Sequence, residues 1–263
     1  MRVLLIYFSA SGNTSKVTKI MKDYLTKKGF EVLSVNIFKG ALPKIENFNL
    51  IGIGFPIYEF RAPMIIKEII SKTNFDGKKV FIYSTYGCVW PGDAVDRVMK
   101  MIRRNGGRVV GAIVIPMSHS YNFLLDRKLV RDLSDADLRI IHEFLDKVLK
   151  SNVELKNFNG IKTRFISTLL SPIATPKLIP KPIIDYDKCT KCYACIRVCP
   201  TNAISIEIEG YPKMNYSRCM RCYLCMKSCK FNAIRVRRTL INFLIRFGKA
   251  LFRDDEKVKI KTS

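Results

Sequence analysis

The sequence predicts a doubly wound α/β domain with a five-stranded parallel sheet, followed by a small α+β module built around cysteine. Three observations predict this. The first 150 residues alternate short apolar runs with amphipathic stretches. Eight of the nine cysteines lie between positions 189 and 229, and a Lys- and Pro-rich stretch separates the two regions. Strands of a parallel sheet are covered on both faces and read as unbroken apolar runs, whereas the helices between them keep a one-sided helical period. The expected organisation is a sheet domain over 1–150, a linker over 151–182, the cysteine module over 183–237, and a basic amphipathic helix and tail over 238–263.

Taken in order, RVLLIYF at 2–8 is the first strand. A helix follows at 15–28, with Val17, Ile20, Met21, Tyr24 and Leu25 on one side. Further strands are expected at 32–37, 50–55, 79–84 and 108–115. Helices are expected near 64–71, at 94–103 and at 134–149, the last with Ser134 as its N-cap. Sheets of this kind bind ligands at the carboxyl ends of their strands, near the switch in strand order. Three loops there carry candidate chemistry. Ser9, Ser11, Gly12, Asn13 and Thr14 bring hydroxyls, a glycine and a helix N-terminus together, which makes an anion site without any lysine. Pro56, Ile57 and Tyr58 follow the third strand, and Thr85, Tyr86 and Gly87 the fourth. Taken singly each loop is ordinary; a Ser/Thr group is usually a helix cap and a loop tyrosine is usually part of the core edge.

The cysteines form two copies of one pattern, thirty residues apart. Cys189, Cys192, Cys195 and Cys199 are followed by Pro200; Cys219, Cys222, Cys225 and Cys229 are followed by Lys230. Asn202, Ala203 and Ile204 recur as Asn232, Ala233 and Ile234. This spacing implies two [4Fe–4S] clusters, with the fourth Cys of each run ligating the other run's cluster. The ligand sets are then Cys189, Cys192, Cys195 and Cys229 for one, and Cys219, Cys222, Cys225 and Cys199 for the other. One zinc ion needs only two separated pairs, and a disulfide framework suits a small secreted scaffold. Neither explains two contiguous runs of four.

The formal net charge is +24. Between positions 182 and 238 eleven Lys or Arg face four acids. A basic surface around an electron-transfer site implies acidic protein partners. An anionic membrane surface is a second candidate, through the tail at 240–253, where Leu240, Ile241, Phe243, Leu244, Ile245, Phe247, Leu251 and Phe252 form one broad face and Asn242, Arg246, Lys249 and Arg253 the other. The same face would equally pack on the protein itself. No nucleic-acid motif accompanies the charge, so no nucleic-acid partner is expected. No apolar run approaches the roughly 18 residues that span a bilayer, and the start does not read as a signal peptide. A cytoplasmic location, peripheral to a membrane if the tail binds one, is the expectation.

FSASGNTSKV resembles the phosphate-binding loop of the flavodoxins, and residues 1 to about 150 resemble a short flavodoxin domain. Residues 183–237 resemble bacterial two-cluster ferredoxins, so the whole chain resembles the flavodoxin–ferredoxin fusions of anaerobic bacteria and archaea. The resemblance implies that Ser9, Ser11, Gly12, Asn13 and Thr14 wrap the phosphate of FMN. Pro56, Ile57 and Tyr58 would flank the isoalloxazine on one side and Thr85, Tyr86 and Gly87 on the other, with Trp90 and residues 116–122 as further candidates. The chain departs from the family in its strong basicity and in Lys230. Cys88 reads as a small buried residue, and His119 and His142 are given no catalytic role.

The function implied is an oxidoreductase-type electron carrier that passes electrons between FMN, two [4Fe–4S] clusters and a redox partner. Whether it is also an enzyme is left open. One alternative is a flavin-dependent reductase of a small substrate such as a quinone, a nitro compound or a corrinoid-type cofactor. Another is a membrane- or complex-docking redox sensor. The sequence presents no nucleophile–base pair and hence no catalytic residue of that kind.

Overall fold

The computed structural model describes residues 1–38, 40, 42–58, 60–87, 91–118, 132–160, 163, 180–236 and 257–262. Its larger body is a sheet in which β1 (Arg2–Tyr7) lies between β2 (Glu31–Asn36) and β3 (Leu50–Pro56), followed outward by β4 (Lys79–Tyr86) and β5 (Arg108–Pro116). All five are parallel, with Val3 opposite both Val32 and Leu50. Every residue of β3 is buried, as its LIGIGFP sequence requires of a central strand.

Helices cover both faces. Leu4 and Ile6 of β1 face the side held by α2 (Met64–Lys72) and α3 (Ala94–Arg104), where Ile66, Ile70, Val98 and Ile102 are buried. Val3 and Leu5 face α1 (Asn13–Lys27) and α4 (Asp135–Lys150), with Met21, Leu25, Phe144 and Val148. Each fully buried Leu, Ile or Phe stabilises the fold by about 1.5–3 kcal/mol, so these two layers hold the domain. Ser134 caps α4 as expected: its hydroxyl accepts from Asp137 N, and the Asp137 carboxylate accepts from Ser134 N at 3.0 Å.

Two features depart from the sequence expectation. The sheet gains a sixth, antiparallel edge strand, β10 (Lys259–Thr262), pairing Ile260 with Ile113 of β5. The end of the expected tail is thus part of the first domain's sheet, and its lysines line an edge that further strands would otherwise join. The helix expected over 240–253 lies outside the described residues. The start of the expected linker is a strap on the first domain. Leu155 N donates to Val109 O at 2.7 Å, Phe158 N donates to Asp96 Oδ1 at 2.9 Å, and Asn159 Nδ2 donates to Asp96 Oδ2 at 2.7 Å. The remainder of the linker, apart from Thr163 and residues 180–182, lies outside the described residues.

The smaller body repeats itself. β6 (Pro182–Ile184) pairs with β9 (Ile234–Val236), and β7 (Ile204–Ile206) with β8 (Pro212–Met214). Shifted by thirty residues, β6 falls on β8, β7 on β9, and the single helical turn Ala194–Arg197 on Leu224–Lys227. The sequence duplication is therefore a structural one. Among the described residues of the whole chain, no helix is long and apolar enough to cross a membrane.

Candidate redox sites

At the carboxyl edge of the parallel sheet the predicted loops come together. Gly12 occupies the left-handed region at φ 95°, where glycine is favoured, and serves as the N-cap of α1 without any side-chain cap. A Cβ there would meet nothing within 4 Å, so the backbone is open to close approach. Ser9 Oγ accepts from Ser15 N at 3.2 Å, bending the loop over the helix start. Ser11 and Asn13 are half-buried at its rim. Thr14 is the exception to an open phosphate loop: it is buried, and its hydroxyl lies 2.9 Å from that of Thr85.

Both strands run further than the sequence suggested, so Pro56 ends β3 and Thr85 and Tyr86 end β4 instead of lying in the loops. Ile57 N donates to Thr85 O at 2.7 Å and ties the loop after β3 to that strand end. Pro56, Tyr58 and Tyr86 are buried and Gly87 is half-buried. The segment after β5 joins the same edge, since Asn13 Nδ2 donates to Ser118 O at 2.7 Å and Met117 N to Tyr86 O at 2.8 Å. Cys88, Trp90 and residues 119–122 lie outside the described residues. At the end of β4, Ser84 Oγ is buried with no hydrogen-bond partner among the described residues. Leaving such a hydroxyl unmet costs about 1–3 kcal/mol. An open glycine loop at a helix N-terminus fits the phosphate of FMN, and the paired loops beside it fit a flat ring.

In the smaller body, Cys189, Cys192, Cys195 and Cys229 ring one cavity, walled by Ile184, Pro212 and Ile234. The fourth thiol comes from the other repeat. Cys199 in turn lies close enough to Cys222 and Cys225 to act on both electrostatically, as does Cys219. Left-handed residues at Lys191 and Tyr193 recur at Arg221 and Tyr223, with φ between 53° and 56°. Such turns aim backbone N–H groups inward and create a concavity for an anionic centre. Ala203 N donates to Cys199 Sγ at 3.2 Å and Ala233 N to Cys229 Sγ at 3.3 Å. Among the described residues no three Cys, His, Asp or Glu side chains gather closely enough to grip a single metal ion. The thiols surround a space instead.

Burial pushes the Cys222 thiol up to about 12 and that of Cys225 higher still, whereas the Ala194 N–H draws Cys192 down. A buried thiol becomes a thiolate only beside compensating positive charge, which iron supplies. The donor set fits two clusters.

Residues 180–234 match the family described as the 4Fe-4S dicluster domain, and residues 31–112 match the Flavodoxin family. The chain joins a flavodoxin domain to a 4Fe–4S dicluster domain. Its cofactors are accordingly FMN and two [4Fe–4S] clusters. The flavodoxin match includes the loops after β3 and β4 but begins beyond the glycine loop, which rests on its geometry and sequence. An uncharacterised protein of Methanocaldococcus jannaschii is 27% identical over 158 residues, covering 57% of this chain and 100% of that protein. A protein of a Nostoc species named as a diflavin flavoprotein is 32% identical over 114 residues, covering 40% of this chain and 20% of its own length. Among solved structures, a flavodoxin from the domain Archaea covers 57% of this chain and 99% of itself at 19% identity, TM-score 0.44. Flavodoxin 2 from Bacillus cereus does so at 15% identity, with 57% and 99% covered and TM-score 0.47.

Proposed function

We propose that this protein passes electrons between FMN and two [4Fe–4S] clusters, and exchanges them with an acidic redox partner. FMN supplies one- and two-electron chemistry when bound, and the clusters supply one-electron chemistry. The chain's own residues bind, space and tune these groups. Gly12 and its neighbours hold the phosphate, and the loops at 56–58 and 85–87 hold the ring. The crossed sets Cys189, Cys192, Cys195, Cys229 and Cys219, Cys222, Cys225, Cys199 hold the clusters. The observation that carries this reading is the cavity lined by three cysteines of one repeat and the fourth of the other. That arrangement has no use in a zinc ribbon and follows directly from duplicated cluster loops.

The basic surface supports the partner class. Lys188, Lys191, Arg197, Arg218, Lys227 and Lys230 of the dicluster domain are exposed, and such a field speeds encounter with an acidic protein in a salt-dependent way. The test is anaerobic purification with iron, sulfide and flavin assayed on one sample. About eight iron atoms and about one FMN per chain are expected. Protein that takes up zinc and holds neither iron nor flavin refutes the reading.

A further inference from the structure

The two cysteine loops match in sequence and backbone, yet only one is covered. Lys191 and Cys192 are exposed and Tyr193 is half-buried. Their repeat mates Arg221, Cys222 and Tyr223 are buried, at 9%, 8% and 1% exposure. The cover comes from the flavodoxin domain. Cys222 belongs to the same continuous apolar cluster as Tyr58 and Ala62, with Met220 and Leu224 packed against it. Thr190 and Ala194 hold the corresponding positions in the first loop. One is polar and the other small, so the first loop lacks the apolar bulk of the second. The Tyr223 hydroxyl donates to Pro180 O just as the Tyr193 hydroxyl donates to Gly210 O, so this bond is common to both loops and the apolar cover is what distinguishes them.

We infer that the two cluster sites hold fixed and unequal stations. The site of Cys199, Cys219, Cys222 and Cys225 faces the flavodoxin domain and exchanges electrons with it. The site of Cys189, Cys192, Cys195 and Cys229 faces outward and is the port for the acidic partner. This assignment rests on the electron-transfer reading above and gives it a direction. Each hop moves one electron, so the site that gives is oxidised by one and the site that receives is reduced by one, with no bond made or broken. Lys188, Lys191 and Lys230, which flank the outward cysteines, are exposed. Lys191 is held in place, its ammonium 4.0 Å from the Tyr211 ring centroid and donating to Glu209 O at 3.0 Å. Positive charge is thus organised around the exposed thiol of Cys192, where an acidic surface would seat.

The natural protein provides the test. Holoprotein with assayed iron and flavin is oxidised by limiting ferricyanide with EDTA until about half the iron is lost. Released thiols are then alkylated with iodoacetamide under native conditions and mapped by peptide mass. Cys189, Cys192, Cys195 and Cys229 are expected to be labelled several-fold ahead of the other four. Equal labelling, or labelling led by Cys219 and Cys222, overturns the assignment. A paired substitution reads the same claim kinetically. Met220→Lys should slow reduction of the clusters after photoreduction of the flavin several-fold, and Ser205→Lys, which adds the same charge at an exposed position of β7, should leave it unchanged. Equal rates in the two variants, both with full cofactor content, overturn it as well. Protein that lacks iron or flavin from the outset refutes the electron-transfer reading itself.

Discussion

The hydroxyls of Thr14 and Thr85 lie 2.9 Å apart in a buried setting. They join the first turn of α1, next to the glycine loop, to the end of β4, so the phosphate and ring portions of the flavin site share one hydrogen bond. Thr85→Val keeps the shape but leaves the Thr14 hydroxyl unmet. A loss of about 1–3 kcal/mol in unfolding free energy is expected, with FMN affinity weakened about tenfold if about 1.4 kcal/mol of it is felt in binding. Urea unfolding of the flavin-free protein and fluorescence titration with FMN measure the two effects. The double substitution with Thr14→Val should cost less than the two single changes combined, because both remove the same bond.

Gly54 is required by its neighbour. A Cβ at this position would lie 2.2 Å from Tyr83 Cζ. The Tyr83 ring cannot move aside, since it is fully buried and its hydroxyl donates to Thr18 Oγ1 at 2.9 Å. Thr18 in turn donates to Thr14 O at 2.8 Å. Gly54→Ala should therefore destabilise the domain by about 1–3 kcal/mol or more and disturb the start of α1. A lower thermal midpoint and weaker FMN binding are expected. An unchanged midpoint would contradict the packing described.

How much of this was legible in the sequence depended on whether the signal was local. LIGIGFP read as a central strand because burial on both faces demands an unbroken apolar run. The glycine loop and the cysteine runs were legible because cofactor binding fixes residue types at short spacing. β10 was not. KIKT is only four residues long, and its pairing is decided by the free edge of β5, well over a hundred positions away. The strap was missed because KNFNG resembles any linker until Asp96 is seen accepting its backbone N–H groups. The inward turn of Thr14 was hidden for the same reason, as Thr85 is distant in sequence. Met220 and Leu224 stood in plain view against Thr190 and Ala194, but their meaning required the surface they pack on.

His142 makes stability depend on pH. Its ring stacks on Tyr24 at 4.0 Å, and Tyr24 donates to Asp146 Oδ2 at 2.9 Å while Lys28 pairs with Asp146 Oδ1 at 2.7 Å. Burial holds the imidazole below its ordinary value of 6.5, helped by Lys27 and Lys28 and opposed by Asp146. The folded state then binds fewer protons than the unfolded state just below that value. Stability is full above pH about 6.5 and falls as the pH drops toward the folded value. Because the ring is only half-buried, the effect should be small. His142→Phe keeps the stack and should flatten this slope in urea midpoints measured between pH about 5 and 7. Asp146, itself held below the ordinary carboxylate range by Lys28 and Tyr24 against the opposing effect of burial, titrates at lower pH and should not obscure it.

The repeats also differ where they tune the sulfurs. Cys199 accepts from Ala203 N and has the Thr201 hydroxyl 3.8 Å from its Sγ. Cys229 accepts from Ala233 N, but Phe231, at 49% exposure, replaces the threonine and offers no hydroxyl. Reducing a cluster adds negative charge, and donors to its thiolates stabilise that charge, so hydrogen bonds raise the potential. Lys230 beside Cys229 acts in the same direction on the outward site, but it is exposed and screened by water and salt. Thr201→Val should therefore make the potential of the inward site more negative and leave the outward one in place. Phe231→Thr should raise the outward one. Lys230→Gln should lower it at low ionic strength and have little effect at high. EPR-monitored redox titration resolves these shifts, and clusters that respond identically to Thr201→Val would contradict both the crossed ligand sets and the role given to the hydroxyl.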